Sequence, residues 1–281
     1  MTMDETMKKT QRLNRIIAIE GLDGTGKESV SRRLCELLHE NEFVADMVSF
    51  PRYDTTVGKV IKEFQSGFYG FPASTDPYIS GALYTLDRIN FFRMMDKEWF
   101  NSLDFLILDR SYFSNYLYQG PKFNVEKTGD YRRLRDWMRM SYEAEISTIP
   151  EMNHRFHRVY FLQLSDEDQQ EQLKRREKLD MNESNREYQN SIRDFFYHAR
   201  SYNFWAGIAA ARKTHVPWYG DTEVLTLEDW YLRRVMKIES VHTKDPDKIP
   251  EAVNETANKI LSDIKHDFIS PSVVERILPR Y

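Results

Sequence analysis

The chain has 281 residues, 41% of them apolar and 14% aromatic, and a formal net charge of −4. This length suits one large α/β domain or at most two small ones, and the acidic balance excludes the basic surface that holds polymeric nucleic acid. A single cysteine, Cys35, excludes an internal disulfide and a Cys-rich metal site; with no apolar run near the ~20 residues of a membrane span, the expectation is a soluble cytoplasmic protein of a reducing compartment, without membrane contact.

Residues 1–13 are polar, carry Asp4 and Glu5 among lysines, and read as a flexible N-terminal tail rather than a signal peptide. Beyond them short apolar runs alternate with amphipathic stretches, the pattern of βαβ units and a parallel sheet. Strands are expected at 15–20, 44–50, 104–108, 158–164 and 234–239. Helical periodicity fills 27–40, 57–64, 78–100, 131–145, 167–178, 187–211 and 250–268. Residues 214–230 mix Pro, Gly and aromatics and fit no βα unit, so about 205–233 reads as an insertion of unknown purpose. Residues 269–281 read as a C-terminal tail.

The first strand runs into Gly21-Leu22-Asp23-Gly24-Thr25-Gly26-Lys27 and then into a helix beginning Glu28-Ser29. A buried strand, a Gly-rich turn and a helix N-terminus form the setting of a phosphate-binding loop. Glycines let the backbone curl until several N–H groups meet one phosphate, the helix adds its positive end, and Lys27 reaches the β- and γ-phosphates of a nucleotide. The hydroxyl residue expected after the lysine, a Mg²⁺ ligand, is Glu28 here, with Ser29 one place later. Three readings follow. Glu28 offers its carboxylate to the metal; or it points to solvent while Asp23 and Asp109 hold the ion; or the site is inactive.

Three further segments put Arg or aromatic residues near strand ends, where open α/β sheets bind ligands. They are Phe50-Pro51-Arg52-Tyr53, Tyr84 with Arg88 on the long helix, and Asp109-Arg110-Ser111 followed by Ser114-Asn115 and Tyr118. Singly, Arg52 could be a surface charge, Tyr84 core filler, and Asp109-Arg110 a buried ion pair. Jointly they suggest an acceptor site.

On these motifs the chain resembles the thymidylate kinase family, over roughly residues 16–197 and again near the C-terminus. The resemblance implies a three-layer P-loop NTPase fold spanning 14–268, with a five-stranded parallel sheet, helices on both faces and a lid at about 174–186. It implies ATP as donor, Mg²⁺ as cofactor, a deoxynucleoside monophosphate such as dTMP as acceptor, and a homodimer. In the family Arg52 and Arg110 would grip the acceptor 5′-phosphate, Tyr84 would stack on the pyrimidine, and Arg88 would reach the base carbonyl. Tyr53 and Ser114 would join the acceptor site, Asn115 would bond the base edge, and Tyr118 would crowd the sugar 2′ position. Ser111 departs from the tyrosine usual after Asp-Arg and echoes deoxynucleoside kinases. Position 24 is Gly, so a lid arginine, Arg175 or Arg176 ahead of Asp180 and Glu183, would neutralise the migrating phosphoryl group. Competing readings are a kinase for a modified deoxypyrimidine monophosphate or for a deoxynucleoside, and a non-catalytic nucleotide-binding protein.

Overall fold

The computed structural model describes residues 15–69, 76–146, 156–175, 185–199 and 235–269. The N-terminal tail, the insertion at 205–233, the C-terminal tail beyond 269, and Arg176, Asp180 and Glu183 lie outside the described residues.

The elements run β1 (Arg15–Gly21), α1 (Lys27–Glu40), β2 (Ala45–Ser49), α2 (Thr56–Gln65), α3 (Pro77–Met94), α4 (Lys97–Ser102) and β3 (Phe105–Asp109). Then follow α5 (Tyr112–Gln119), a 3₁₀ turn (Gly120–Phe123), α6 (Val125–Thr128), α7 (Tyr131–Ile146), β4 (Phe156–Gln163), α8 (Asp166–Lys174), α9 (Arg186–Ala199), β5 (Val235–Glu239) and α10 (Ile249–Ile269). The five strands form one sheet in the order β2-β3-β1-β4-β5, and the pairings are parallel. The five strands expected from the sequence are all present, each within two residues of its expected ends.

Strand β1 is buried on both faces, as a central parallel strand must be. Its alternate residues serve different layers. Ile17 and Ile19 pack with Val30, Leu34 and Leu38 of α1 and Ile260 and Ile264 of α10. Ile16 and Ala18 join the opposite layer, with Phe91 and Phe92 of α3, Phe113 and Leu117 of α5, Trp137 of α7 and Ile192 and Phe196 of α9. At about 25 cal/mol per Å² of apolar surface removed from water, these two layers dominate the folding free energy. Phe161 of β4 and Phe196 stack at 3.7 Å between centroids and lock α9 to the sheet.

One expected element divides in two. The helix read at 78–100 stops at Met94, because Met95 is extended (φ −65, ψ 148) and Asp96 then starts α4 by accepting from the backbone N–H of Glu98 at 2.8 Å. The apolar pattern runs through this junction, so periodicity alone reads one helix where a side-chain cap makes two. The stretch after β3, given no element from periodicity, is helix α5, started by Ser111.

Candidate active site

The phosphate loop leaves β1 at Gly21, whose φ is +152 and where an added Cβ would sit 2.6 Å from the Leu162 carbonyl oxygen of β4. Only glycine allows that approach. The loop is braced internally: Thr25 Oγ1 and Lys27 Nζ both donate to the Leu22 carbonyl at 2.8 Å. It is braced externally by Gln169 of α8, which donates to the Asp23 carbonyl at 2.8 Å, and by Gln189 of α9, which donates to the Asp23 carboxylate at 3.2 Å. The N-cap of α1 is Gly26 in the left-handed region, with no side-chain cap. The amides of the first turn are therefore left for an anion. Burial, reinforced by repulsion from Arg110, pulls the Lys27 ammonium down to about 8.

Strand β3 ends at Asp109, and the next residue turns sharply. Arg110 has φ +71 and is held by its N–H, which donates to the Ile19 carbonyl at 3.1 Å. Its side chain bridges two parts of the site: Nη2 donates to Asp23 Oδ1 at 2.5 Å and Nη1 to the Tyr118 hydroxyl at 3.1 Å. Burial raises the Asp23 carboxyl, but Arg110 and Lys27 outweigh it and hold the group well below the usual carboxylate range. Under this turn lies Glu20, fully buried. One of its oxygens accepts from the Ser111 N–H at 2.6 Å and the Ser111 hydroxyl at 2.9 Å, the other from the Ser114 hydroxyl at 2.6 Å. Desolvation pushes the Glu20 carboxyl upward, opposed by these serine donors and by Arg110. Ser111 also caps α5, accepting from the Phe113 N–H at 3.1 Å. Its departure from the family tyrosine therefore has a local structural use.

The three carboxylates weighed as metal ligands differ. Glu28 is exposed and pairs with Arg32 one turn along α1 at 3.1 Å. The oxygens of Asp23 are engaged by Arg110 and Gln189. Asp109 is buried, accepts from the Ser49 hydroxyl, and its Oδ1 has no hydrogen-bond partner among the described residues. A buried acceptor that lines the cleft beside Lys27 fits a hard cation. Desolvation raises this carboxyl, so a bound cation would also favour its ionised form. Among the described residues no group of three or more His, Cys, Asp or Glu stands together.

A cavity of about 460 Å³ runs from the loop to the far end of α5. It is lined by Lys27, Asp23 and Glu28 of the loop and the start of α1, by Asp109 and Arg110 at the end of β3, and by Tyr84, Arg88, Asn115 and Tyr118 of α3 and α5, with Tyr53 and Ser114 also lining it. The Tyr53 hydroxyl donates to Gln65 Oε1 at 2.9 Å and Gln65 Nε2 donates to the Tyr84 hydroxyl at 2.9 Å, so α2 and α3 are linked across the rim. Arg88 is buried and paired with Glu145 of α7 at 2.5 Å.

Of the loop residues, Gly21, Leu22 and Thr25 do not line this cavity, and two of the expected arginines stand apart from it. Arg52 does not line it: its guanidinium lies 5.2 Å from the centroid of the Phe91 ring, and its backbone N–H donates to Asp87 at 2.8 Å. Arg175 donates to Glu171 and to the Lys244 carbonyl, both at 2.8 Å, at the outer end of α8. Sequence reasoning assigned nothing to Glu20, Gln119, Lys122, Glu145, Gln169 or Gln189. Of these, Glu20 alone carried a local signal, as the carboxylate that ends an apolar strand just before the glycines. Lys122 reaches the cavity, donating to Gln119 Oε1 at 2.5 Å and Ser80 Oγ at 3.1 Å, and burial draws its ammonium down to about 7.

Comparison with known proteins gives these features a context. Residues 19–215 match the family model described as thymidylate kinase. The chain is similar to a probable thymidylate kinase of Methanothermobacter thermautotrophicus, 28% identical over 109 residues that make up 38% of this chain and 53% of the relative. It is also similar to one of Methanobrevibacter smithii, 33% identical over 123 residues, 43% of this chain and 59% of the relative. The chain spans about half the length of the curated relatives it matches. Among solved structures, the thymidylate kinase of Ehrlichia chaffeensis shares the fold at a TM-score of 0.50 and 14% identity, covering 89% of this chain and 98% of that one. No described helix is long and apolar enough to cross a membrane. On the family match, which takes in more than half of its length, the chain belongs to the thymidylate kinase family.

Proposed function

We propose that the chain is a nucleoside monophosphate kinase that transfers the γ-phosphoryl group of ATP to the 5′-phosphate of dTMP. The observation that carries this reading is the Arg110–Asp23 contact, which sets a guanidinium directly beside the phosphate loop inside one cavity. Such a cavity suits two phosphate-bearing molecules meeting end to end. An acceptor phosphate oxygen attacks the γ-phosphorus, the bond to the β–γ bridging oxygen breaks, and ADP leaves with that electron pair. The acceptor oxygen is anionic near neutral pH, so catalysis reduces to alignment and charge neutralisation.

The loop amides and Lys27 bind the donor phosphates. The guanidinium of Arg110 suits the acceptor dianion, offering several donors in one plane. Arg52 joins it only if its side chain leaves Phe91 when the acceptor binds. We assign Tyr84, whose hydroxyl accepts from Gln65, to stacking on the pyrimidine, and Tyr118, whose hydroxyl accepts from Arg110, to crowding the ribose 2′ position. Mg²⁺, when bound, neutralises charge on the donor phosphates, and Asp109 would hold it, with Glu28 left in solvent. We assign closure over the transferring group to the lid arginines Arg175 and Arg176 jointly, with Arg175 leaving Glu171 and the Lys244 carbonyl to take part.

A steady-state assay with ATP, Mg²⁺ and a panel of deoxynucleosides and their monophosphates tests this reading. Turnover is expected with dTMP. Turnover of nucleosides but of no monophosphate would overturn the acceptor assignment, and ATP binding without any turnover would make the chain a nucleotide-binding protein only. A 5-modified deoxypyrimidine monophosphate preferred over dTMP would move the substrate and leave the reaction class intact.

A further inference from the structure

The cavity-lining residues Arg88 and Asn115 are backed by a chain of buried polar groups that starts behind them at Glu145. Glu145 of α7, fully buried, accepts from Arg88 Nε at 2.8 Å and Nη2 at 2.5 Å, and from the Thr85 hydroxyl at 2.8 Å. Thr85 Oγ1 in turn accepts from Asn115 Nδ2 at 3.0 Å, and the same Nδ2 donates to the Gly81 carbonyl at 3.2 Å. Each step fixes the next. A carboxylate can only accept, so the one hydroxyl hydrogen of Thr85 is spent on it. The Thr85 oxygen must then take a donor, and a carbonyl at Gly81 must do the same. The atom of Asn115 that faces them is therefore its NH₂, and Oδ1 is the atom left for the cavity that Asn115 lines. Arg88 is fixed in the opposite sense. Two of its nitrogens are taken by Glu145, while Nη1 has no protein partner among the described residues and belongs to a side chain lining the same cavity.

At these two residues the site thus presents an acceptor, Asn115 Oδ1, and a donor, Arg88 Nη1. A 4-oxo pyrimidine offers the complement, an N3–H donor beside an O4 acceptor. A 4-amino pyrimidine offers the reverse, an N3 acceptor beside an amino donor, and meets like with like at both atoms. A buried ion pair is in itself a poor source of stability, and setting register is its best-attested use.

We propose that Glu145 is a positioning residue that sets the hydrogen-bonding polarity of the base site, acting through Thr85 on Asn115 and directly on Arg88, so that the site accepts 4-oxo and rejects 4-amino deoxypyrimidine monophosphates. This inference rests on the kinase reading above.

The test compares kcat/KM for dTMP and dCMP in the full chain with Thr85→Val, Thr85→Ser and Glu145→Gln, following KM for ATP and thermal unfolding alongside. Thr85→Val keeps the shape and deletes the hydroxyl. It is expected to raise KM for dTMP about tenfold and to narrow the dTMP-to-dCMP ratio by about tenfold or more, with KM for ATP unmoved. Thr85→Ser keeps the hydroxyl and restores the ratio. Glu145→Gln opposes an amide hydrogen to Thr85 or Arg88 and narrows the ratio further. Should it fail to fold, the Val–Ser contrast decides. Folded Thr85→Val with the wild-type ratio and wild-type KM for dTMP overturns the proposal while leaving the kinase reading standing. A wild-type chain that turns over no deoxypyrimidine monophosphate overturns both.

Discussion

Arg110 Nη2 meets Asp23 Oδ1 at 2.5 Å, although 87 residues separate the two in sequence. The contact joins the end of β3 to the phosphate loop that leaves β1, and it needs the left-handed backbone at Arg110 to turn the side chain inward. Arg110→Ala is expected to lower kcat/KM for the acceptor by about 10³-fold or more while ATP binding changes far less. Steady-state kinetics with direct ATP titration separate the two. Equal loss of ATP affinity would place the guanidinium on the donor side.

Lys27 makes the reaction pH-dependent in a defined direction. Its ammonium is lowered from 10.5 to about 8, so the charge that steadies the donor phosphates is lost as pH rises through about 8. The profile of kcat/KM for ATP reports the free enzyme and should fall on that alkaline side. Bound phosphates favour the charged form, so kcat at saturating ATP should break at higher pH. The stability sign is opposite. Between about 8 and 10.5 the unfolded chain holds more protons, so this group's contribution to stability grows with pH and is constant below about 8. A kcat/KM profile flat to about pH 10 would contradict the assignment.

Asp109 carries the prediction for the metal. Its unpartnered Oδ1 is the acceptor that fits the ion best, whereas Glu28 is engaged with Arg32 in solvent. Asp109→Asn should raise the Mg²⁺ concentration for half-maximal activity by about tenfold or more, the cost typical of losing even an outer-shell partner. Glu28→Gln should move it little. The reverse order in a Mg²⁺ titration would reassign the ligand.

Gly58, in the first turn of α2, is closed to any larger residue. An added Cβ would sit 1.8 Å from the Arg52 carbonyl oxygen. Gly58→Ala must therefore displace the segment after β2, at a cost of about 1–3 kcal/mol. The urea midpoint should fall and KM for the acceptor should rise, with KM for ATP unchanged. An unaltered acceptor KM would mean that this segment has no part in the site.

The phosphate loop was legible in the sequence because its parts are local: a strand, its glycines and a lysine within a dozen residues. The alternating strands were legible for the same reason, since two-sided burial writes itself as short apolar runs. The supporting carboxylates were not. Glu20 serves Ser111 across 91 residues and Glu145 serves Arg88 across 57, and no spacing rule links such pairs. The break between α3 and α4 was hidden because the Asp96 side chain caps α4 by bonding a backbone N–H, which leaves the apolar periodicity unbroken. Arg52 shows the limit of motif reading: the residue stands at the expected strand end, but its guanidinium lies over Phe91 rather than in the cavity.

The strand order β2-β3-β1-β4-β5 has a consequence for how such a protein can change over time. The middle strand carries the phosphate loop, one wing carries groups that the kinase reading assigns to the acceptor, and the other wing braces the loop through Gln169 of α8 and Gln189 of α9. On the kinase reading, substitutions in the first wing that spare Arg110 and Tyr118, which bond to Asp23 of the loop and to Tyr188 of α9, would leave the braces of the loop in place. A lineage could shift toward a new nucleobase while its grip on the triphosphate stays intact.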